Sequence, residues 1–372
     1  MTHESTRPGR ARPAKADTAL VLGGGNALGA YLAGACEVLD EHGFAPGWIV
    51  GASVGAVTGA ILAGNPPEER LARLRQFWAE AAQHTGPSPT DALKPRQIYN
   101  GLHALHALAW GRPSIYRHRW PGLWSALPGV PNDVALFDHG PLSDTLERLV
   151  DFGRLRDGET RLTVGCVDVE SGQEVYFDSH RGGIRPEHVL ASTAILPAFP
   201  PIEIEGRLLC DAGYTNNLPL DPLFETEPER DLLCIALDLF SLQAPRPASL
   251  DAVLERANDL IFASAPRRAI AGLRREYALR DALRPDGPRV TLLHLAYQTG
   301  ADELASKSFD YSPSSVRDRW AAGAEDMKAG LARLDGAPGP GRFTYLTRED
   351  FAPRGAEAVN SSSEEASGRA VA

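Results

Sequence analysis

The stretch WIVGASVGAV, residues 48–57, decides the fold that the sequence predicts. It begins with apolar residues typical of a short buried strand, and it continues into a small, apolar run with helical character. Ser53 stands between Gly51 and Gly55, where the strand has to turn into the helix. A G-x-S-x-G pattern in this position is typical of a nucleophile elbow, in which glycines relieve crowding in a tight turn that exposes the serine side chain.

The segments around this stretch alternate between strands and helices. Residues 18–22 (TALVL) are predicted to form a buried strand that ends in a glycine loop, and residues 27–43 have helical spacing that stops at Gly43, a candidate C-terminal cap. Residues 53–64 and 66–83 are predicted to be helical. This order predicts a parallel sheet covered on both faces. The expected fold is a three-layer α/β/α sandwich with a mainly parallel central sheet.

Composition and charge limit the classes of partner. The chain has 372 residues and a formal net charge of −10, which argues against nucleic acid because phosphate backbones are bound by clustered Lys and Arg. The N-terminal segment lacks the apolar region of a secretory signal, and no run approaches the ~18 apolar residues that span a bilayer. We therefore expect a soluble, cytoplasmic protein whose contact with a membrane would be peripheral.

Neither cysteine nor histidine spacing predicts a metal site. The cysteines occur singly in apolar stretches and are predicted to be buried free thiols: Cys36, Cys166, Cys210 and Cys234. His103 and His106 are three residues apart on a helix predicted near residues 97–109, which is a spacing that metal pairs use. No third ligand accompanies them, so we interpret them as surface or packing residues.

A glycine-rich segment, GGGNALG (23–29), follows the first predicted strand. In a parallel sheet it would lie at the same carboxyl edge as Ser53, where its backbone N–H groups are candidates to stabilise an oxyanion. The helix that starts near Val54 directs the positive end of its dipole to the same place. A dinucleotide-binding turn is the competing interpretation, but Asn26 stands where the middle glycine of G-x-G-x-x-G belongs.

Three motifs together resemble the patatin-like phospholipase family, in a bacterial subgroup with an extended C-terminal region. LVLGGGNALGAY (20–31), GASVGAVTGA (51–60) and CDAGYTNNLPL (210–220) match the family's oxyanion loop, elbow and D-G-[GA] turn in the right order. The resemblance runs from about residue 18 to about residue 225. It implies hydrolysis of carboxylic ester bonds of lipids, as by a phospholipase A or lysophospholipase, without a metal ion or organic cofactor.

The resemblance also implies roles for individual residues. Ser53 matches the family's nucleophile, and Asp211 matches the general base of a serine–aspartate dyad that works through an acyl-enzyme. The positions whose backbone N–H groups form the oxyanion hole match Gly24, Gly25 and Asn26. The glycines that support the motifs match Gly29, Gly51, Gly55 and Gly213.

Two positions depart from the family pattern. Asn26 replaces the third glycine of the oxyanion loop, although Asn tolerates left-handed backbone geometry better than most residues do. Ala212 replaces the glycine after the aspartate, and alanine adopts a positive φ only at a cost. The match of Asp211 therefore requires ordinary dihedral angles at position 212.

The domain organisation follows from the motifs and from shifts in composition. Residues 1–17 are expected to form a flexible tail, and residues 18–225 a patatin-like catalytic domain with a proline-rich and aromatic insertion at 84–140. Residues 226–334 are expected to form a C-terminal α/β extension packed on the same domain, and residues 335–372 a disordered tail. Hairpins are predicted around Ser171–Gly172 and Glu205–Gly206.

A Ser-His-Asp triad is the alternative mechanism. The candidate bases and acids are His139, His180, His188, His294, Asp168 and Asp238. In α/β-hydrolases the elbow follows several strands, whereas Ser53 comes after only one complete strand-and-helix unit, which is too early for that fold. Aspartates at strand ends are more often turn or cap residues.

The aromatic insertion leaves two interpretations open. Trp110, Trp120 and Trp124 could belong to a cap that receives acyl chains or touches a membrane surface, or they could bury a satellite core over the sheet. Two other functions also remain open. One is a non-lipid esterase or thioesterase with the same dyad, and the other is a catalytically weak relative that binds lipid or protein.

Overall fold

A computed structural model of the protein describes residues 17–83, 95–300, 302–334 and 341–348. The strands are β1 (Asp17–Leu22), β2 (Trp48–Ala52), β3 (Arg117–His118), β4 (Phe137–Asp138), β5 (Arg161–Asp168), β6 (Glu174–Asp178), β7 (Ile202–Ile204), β8 (Arg207–Asp211), β9 (Leu232–Asp238), β10 (Val290–Ala296) and β11 (Phe343–Thr347). The α-helices are α1 (Ala30–Glu41), α2 (Val54–Ala63), α3 (Pro67–Ala81), α4 (Arg96–Trp110), α5 (Gly140–Leu149), α6 (Phe152–Asp157), α7 (Pro186–Ser192), α8 (Asp221–Phe224), α9 (Leu250–Leu283) and α10 (Pro313–Leu334). Short 3-10 helices occur at Asn26–Gly29, Gly122–Ala126, Ala212–Tyr214 and Lys307–Phe309.

The central sheet is mainly parallel, as predicted. Its strand order is β11-β10-β9-β1-β2-β5-β8-β7, and β6 also pairs with β5. Every pair from β11 to β5 in this order is parallel, whereas β6 and β8 both run antiparallel to β5.

Side chains of the central strands alternate between two apolar cores. On β1, Leu20 and Leu22 belong to the core that contains residues of α1, α2 and α10, whereas Ala19 and Val21 belong to a second core that includes Ile270 of α9. This alternation is expected for a strand that is covered on both faces. The prediction of a three-layer α/β/α sandwich is confirmed.

Two strands share one edge of β5. Ala52, at the end of β2, pairs with Gly165, and Asp211, at the end of β8, pairs with the next residue, Cys166. Residues 165 and 166 both pair with β6 as well, so β6 must occupy the opposite edge. The ends of β2 and β8 therefore meet, and Ser53 follows one of them immediately.

The C-terminal region continues the same sheet and packs on its helices. Strands β10 and β11 extend the sheet beyond β9, and α10 packs on α1, where the Tyr31 hydroxyl donates to Asp326 Oδ2 at 2.9 Å. The expectation of a tail from residue 335 is wrong for β11. Its sequence, FTYLT, is β-branched and aromatic, as strands favour, but the Pro- and Gly-rich segment before it and the charged residues after it obscure this signal.

Both hairpins and the helix of the insertion are confirmed. The β5–β6 connection contains Gly172 with φ +70°, and the β7–β8 turn consists of Glu205 and Gly206 with φ +54° and +76°. The described part of the insertion consists of α4, the two-stranded β3–β4 pair and a 3-10 helix. Its segment at 84–94 lies outside the described residues, as do residues 1–16 of the expected N-terminal tail and residues 335–340 and 349–372 of the expected C-terminal tail.

The cysteines are all buried and free, as predicted. Within the described ranges, no helix combines the length and the hydropathy needed to cross a bilayer.

Candidate active site

Ser53 occupies a strained turn between β2 and α2. Its backbone has φ +55° and ψ −127°, a combination that non-glycine residues adopt rarely and that is characteristic of functional turns. Its N–H donates to Ser192 Oγ at 2.9 Å, and the Ser192 hydroxyl donates in turn to the carbonyl oxygen of Gly165 at 2.6 Å. Ser192, at the end of α7, therefore holds the turn against β5.

Gly55, two residues after Ser53, is required by a close approach of α2 to β1. A Cβ atom at Gly55 would lie 2.1 Å from the carbonyl oxygen of Leu22, and one at Gly51 would lie 2.5 Å from the carbonyl oxygen of Gly55. Both distances are shorter than any real contact, so a side chain at either position would displace the helix. Gly29 is similarly close to the side chain of Val54, the first residue of α2.

Asp211 lies beside Ser53 and is almost completely buried, with 2% of its surface exposed. The N–H of Gly213 donates to its Oδ1 at 2.7 Å. Burial raises the pKa of Asp211 to about 6, although hydrogen bonds from the Ser53 hydroxyl and the Gly213 N–H act in the opposite direction. Ala212 is not among the described non-glycine residues with positive φ, so the departure from the family pattern there causes no strain.

Asn217 joins the glycine loop to the segment that follows Asp211. The N–H of Gly24 donates to the backbone oxygen of Asn217, and Asn217 Nδ2 donates to the carbonyl oxygen of Gly24, both at 3.1 Å. A Cβ atom at Gly24 would lie 2.8 Å from Ser53 Cβ and 2.5 Å from Asn217 Oδ1. The loop therefore passes directly over Ser53, with no room for a side chain.

The three expected oxyanion donors differ in their availability. The N–H of Gly24 is already engaged by Asn217, whereas the N–H groups of Gly25 and Asn26 form no hydrogen bond with the part of the chain that the structure describes. Asn26 has φ +55°, the left-handed geometry that the sequence anticipates there. Its side-chain oxygen accepts a hydrogen bond from the Tyr311 hydroxyl.

The C-terminal region also supports the glycine loop through Arg319. This side chain on α10 is fully buried, and its Nη1 donates to the carbonyl oxygens of Ala27 at 3.2 Å and Asp310 at 2.7 Å. Its Nε donates to Glu303 Oε1 at 2.7 Å. Arg319 thus connects the 3-10 helix Asn26–Gly29 of the glycine-rich segment to the segment that precedes α10.

Ser53 and Asp211 line one cavity with largely apolar walls. The apolar lining consists of Val54, Val57, Phe77, Trp78, Ile115, Leu142, Ile195, Phe199, Phe240, Phe262 and Phe309. Gly25, Asn26, Asn217 and Tyr311 also reach this cavity. The glycine loop, the elbow and the Asp211 turn therefore converge on a space suited to hydrocarbon.

The alternative histidine bases are not paired with Ser53. His139 lines the cavity but forms no hydrogen bond with described residues, His180 is exposed, and the Nδ1 atom of His188 accepts the backbone N–H of Arg185. His294 lies across the sheet, with Nδ1 at 3.0 Å from the Tyr345 hydroxyl.

The alternative aspartates have turn roles. Asp168 Oδ1 accepts the N–H groups of Glu170 and Ser171, both at 3.0 Å, and Asp238 Oδ1 accepts the N–H of Phe240 at 3.1 Å.

His103 and His106 are buried on α4, where the His103 ring lies 4.3 Å from the Tyr99 ring. Within the described ranges, no group of three or more His, Cys, Asp or Glu residues is arranged to hold a metal ion.

The three tryptophans of the insertion lie at the surface. Trp110, Trp120 and Trp124 are all more than half exposed. This exposure disfavours a satellite core and leaves these side chains available to a ligand or an interface.

Comparisons with known proteins agree with this geometry. The patatin-like phospholipase family model matches residues 20–224, more than half of the chain, and a second model described as patatin phospholipase matches residues 271–337. A patatin-like phospholipase domain-containing protein of Caenorhabditis elegans is 29% identical over 205 residues, which are 54% of this chain and 15% of that protein. Lysophospholipase NTE1 of Scheffersomyces stipitis is 22% identical over 205 residues, 55% of this chain and 11% of that protein.

The chain thus spans less than a sixth of the length of either relative. Among solved structures, VipD from Legionella pneumophila matches with a TM-score of 0.39 and 15% identity, covering 86% of this chain and 67% of that one. The family model covers the glycine loop, the elbow and the Asp211 turn in a single match. Because this family model matches more than half of the chain, the chain belongs to the patatin-like phospholipase family.

Proposed function

We propose that this protein hydrolyses carboxylic ester bonds of lipids, with Ser53 as nucleophile and Asp211 as general base. The observation that carries the proposal is the position of Ser53 in a strained elbow next to a buried carboxylate with a raised pKa. Such a carboxylate is a better proton acceptor than an exposed one, because burial disfavours its charged form.

The reaction follows from this arrangement. Asp211 takes the proton of the Ser53 hydroxyl while Oγ bonds to the carbonyl carbon, and the carbonyl oxygen becomes an oxyanion. When the tetrahedral intermediate collapses, the bond to the leaving alkoxide breaks and Asp211 returns the proton to it. Water then attacks the acyl-enzyme by the same steps, which releases a carboxylic acid and restores Ser53.

Gly25 and Asn26 are the proposed oxyanion donors. Both residues line the cavity and their N–H groups form no hydrogen bond with described residues, whereas the N–H of Gly24 is engaged, so we assign Gly24 to shaping the loop over Ser53. The N-terminus of α2 adds its positive dipole end at the same place. Tyr311 is a positioning residue in this scheme, because its hydroxyl holds the side chain of Asn26 and thereby the orientation of that peptide.

The substrate class follows from the cavity walls and from the family. Aromatic and aliphatic side chains surround Ser53, which suits the hydrocarbon of an acyl chain better than a polar substrate. Membership of a family of phospholipases, and a relative named as a lysophospholipase, favour a lipid ester over a non-lipid ester or a thioester.

A lipid surface is the proposed docking partner, and the helices next to one part of the cavity wall suggest where it would bind. Ser308 and Phe309 of the 3-10 helix Lys307–Phe309 line the cavity. Helix α4 packs against this 3-10 helix, and α9 is joined to it because Lys307 Nζ donates to Asp259 Oδ1 at 2.9 Å and to Glu255 Oε1 at 3.0 Å. Both helices therefore flank the same part of the wall.

Both flanking helices expose apolar side chains at helical spacing. We name the set the apolar rim, and its members are Ile98, Leu102, Leu105, Trp110, Leu250, Val253, Leu254, Leu260 and Ile261. Exposed apolar residues repeated every three or four positions on a helix are typical of surfaces that bind a lipid interface or a protein. Their position beside the cavity wall favours a lipid interface, from which an acyl chain would enter directly.

Replacing either member of the dyad should abolish acyl transfer. A fluorophosphonate probe should label the wild type but not Ser53→Ala, and Asp211→Asn should lower kcat on 4-nitrophenyl butyrate by about 10²- to 10⁴-fold, as expected for loss of a general base. Asp168→Asn is the matched control, since it removes another buried, turn-capping carboxylate that does not line the cavity. Equal labelling of wild type and Ser53→Ala would reject the proposed nucleophile.

Activity and stability should respond to pH in opposite directions around the pKa of Asp211. Because the base must be ionised, kcat/KM should rise with pH through about 6 and then reach a plateau. Because the folded pKa lies above the unfolded value, the wild type should lose stability relative to Asp211→Asn as pH rises from about 4 to about 6, by at most ~3 kcal/mol. Stopped-flow hydrolysis measures kcat/KM, and thermal unfolding measures the stability. A kcat/KM that does not change between pH 5 and pH 7 would contradict the assignment of Asp211 as the general base.

Tyr311 and Asn26 should act as one unit. Tyr311→Phe and Asn26→Gly should each lower kcat about fivefold to tenfold with little change in KM, and the double variant should be no worse than either one. Tyr116→Phe is the control, because it removes a buried hydroxyl that donates to the Ala107 carbonyl oxygen and does not line the cavity. Additive losses, or a change in KM alone, would show that Tyr311 does not position the oxyanion loop.

Polar substitution of the apolar rim should weaken binding to vesicles. Leu105→Ser combined with Leu254→Ser should reduce co-sedimentation with phosphatidylcholine vesicles about tenfold while preserving hydrolysis of water-soluble 4-nitrophenyl butyrate. Leu279→Ser with Leu283→Ser is the control, since these leucines are even more exposed than Leu105 and Leu254 but lie ~40 Å from Leu254 along α9. If both double variants bind vesicles as the wild type does, the rim is not the docking surface.

A further inference from the structure

His139 is a buried polar group in the cavity that the proposed reaction does not use. It lies immediately before α5, lines the same cavity as Ser53 and is only 4% exposed. Neither Nδ1 nor Nε2 has a hydrogen-bond partner in the part of the chain that the structure describes. Its ring stacks on Phe199, with centroids 5.3 Å apart and planes 15° from parallel, so the orientation of the imidazole is defined.

The carboxylate of the neighbouring residue, Asp138, does not hydrogen-bond to the His139 ring. Asp138 Oδ1 accepts the N–H of Gly140 at 2.9 Å, and Asp138 Oδ2 accepts Arg117 Nε at 2.8 Å. By contrast, His188, another buried histidine, accepts a backbone N–H through Nδ1. Buried polar groups without a partner are uncommon because their desolvation is not compensated, and each such group requires an explanation.

The unpaired imidazole is neutral and stands in apolar surroundings. Burial lowers the pKa of His139 to about 4, so near pH 7 the ring offers one N–H donor and one nitrogen acceptor. Ile115, Leu142 and Phe199 line the same cavity. A purely hydrocarbon ligand would leave both ring nitrogens unpaired, whereas an oxygen atom within the ligand would pair with one of them.

We propose that His139 hydrogen-bonds to an oxygen atom in the acyl part of the substrate, so that the site prefers chains bearing a hydroxyl, ether or carbonyl oxygen over all-hydrocarbon chains of equal length. The inference rests on the proposed function. The acyl part is favoured over the leaving group because it stays attached to Ser53 inside the cavity, where His139 is buried, while the leaving group must depart.

Isosteric esters test this preference. The series consists of 4-nitrophenyl octanoate and analogues in which one chain methylene, from carbon 3 to carbon 7, is replaced by an ether oxygen. For each enzyme, kcat/KM for every ether ester is divided by kcat/KM for octanoate. For at least one position of the oxygen, this ratio should be about tenfold higher in the wild type than in His139→Phe, as expected for loss of one hydrogen bond. Comparing ratios cancels the intrinsic reactivity of each ester.

Further variants separate binding from folding. His139→Leu provides a second apolar replacement if His139→Phe does not fold, and His139→Gln should restore part of the preference because it can donate and accept. His188→Phe, which removes a buried imidazole stacked on Phe177 and absent from the cavity lining, should leave the ratio unchanged. Ratios that are the same in wild type and both apolar variants at every position would overturn the inference and indicate that only water solvates His139.

The same experiment distinguishes this failure from failure of the proposed function. If wild type and His139 variants hydrolyse octanoate and react with a fluorophosphonate at Ser53, but show equal ratios, only the role of His139 is refuted. If the wild type hydrolyses none of the esters and Ser53 is not labelled, the proposed function and this inference fall together.

Discussion

The arrangement of two strands on one edge of β5 is the constraint on which the candidate active site depends. Because β2 and β8 approach this edge from opposite directions and end at consecutive positions of β5, the residues after Ala52 and at Asp211 are placed next to each other. The chain separates these residues by more than 150 positions, and backbone pairing with β5 places them side by side. Ser192 reinforces the same junction, since its hydroxyl links the N–H of Ser53 to the carbonyl oxygen of Gly165 on β5.

The C-terminal region is part of the site's support. Tyr311 and Arg319 contact Asn26 and Ala27, respectively, in the glycine-rich segment 23–29. The asparagine at position 26 provides a side-chain oxygen that a glycine there would lack, and Tyr311 uses it. A departure from the family pattern near the N-terminus is thus matched by a contact from a region nearly 300 residues later, and the two matched family segments form one structural unit.

Much of this architecture could be predicted from local patterns. The β-α-β-α order, the elbow at Ser53 and the turn at Asp211 depend on glycines and apolar runs whose preferences act over a few residues. Asn217, Ser192 and Tyr311 could not be identified in this way, because asparagine, serine and tyrosine are common and their roles arise only from distant contacts. The adjacent asparagines Asn216 and Asn217, directly after the Asp211 turn, are the sequence feature that could have indicated a role for Asn217. Strand β11 is not predicted because its five residues follow a Pro- and Gly-rich segment and precede a charged one, and an edge strand acquires its conformation from its neighbour.

The buried ammonium group of Lys307 has a consequence for motion. It is held between two carboxylates of α9 and the hydroxyl of Thr299, at 2.8–3.0 Å, and breaking a buried ion pair costs about 3–5 kcal/mol. We therefore expect the 3-10 helix to move together with the adjoining half of α9 rather than independently of it. Widening of the cavity on this side would then require both elements to move together, which is slower than the motion of a loop without such contacts.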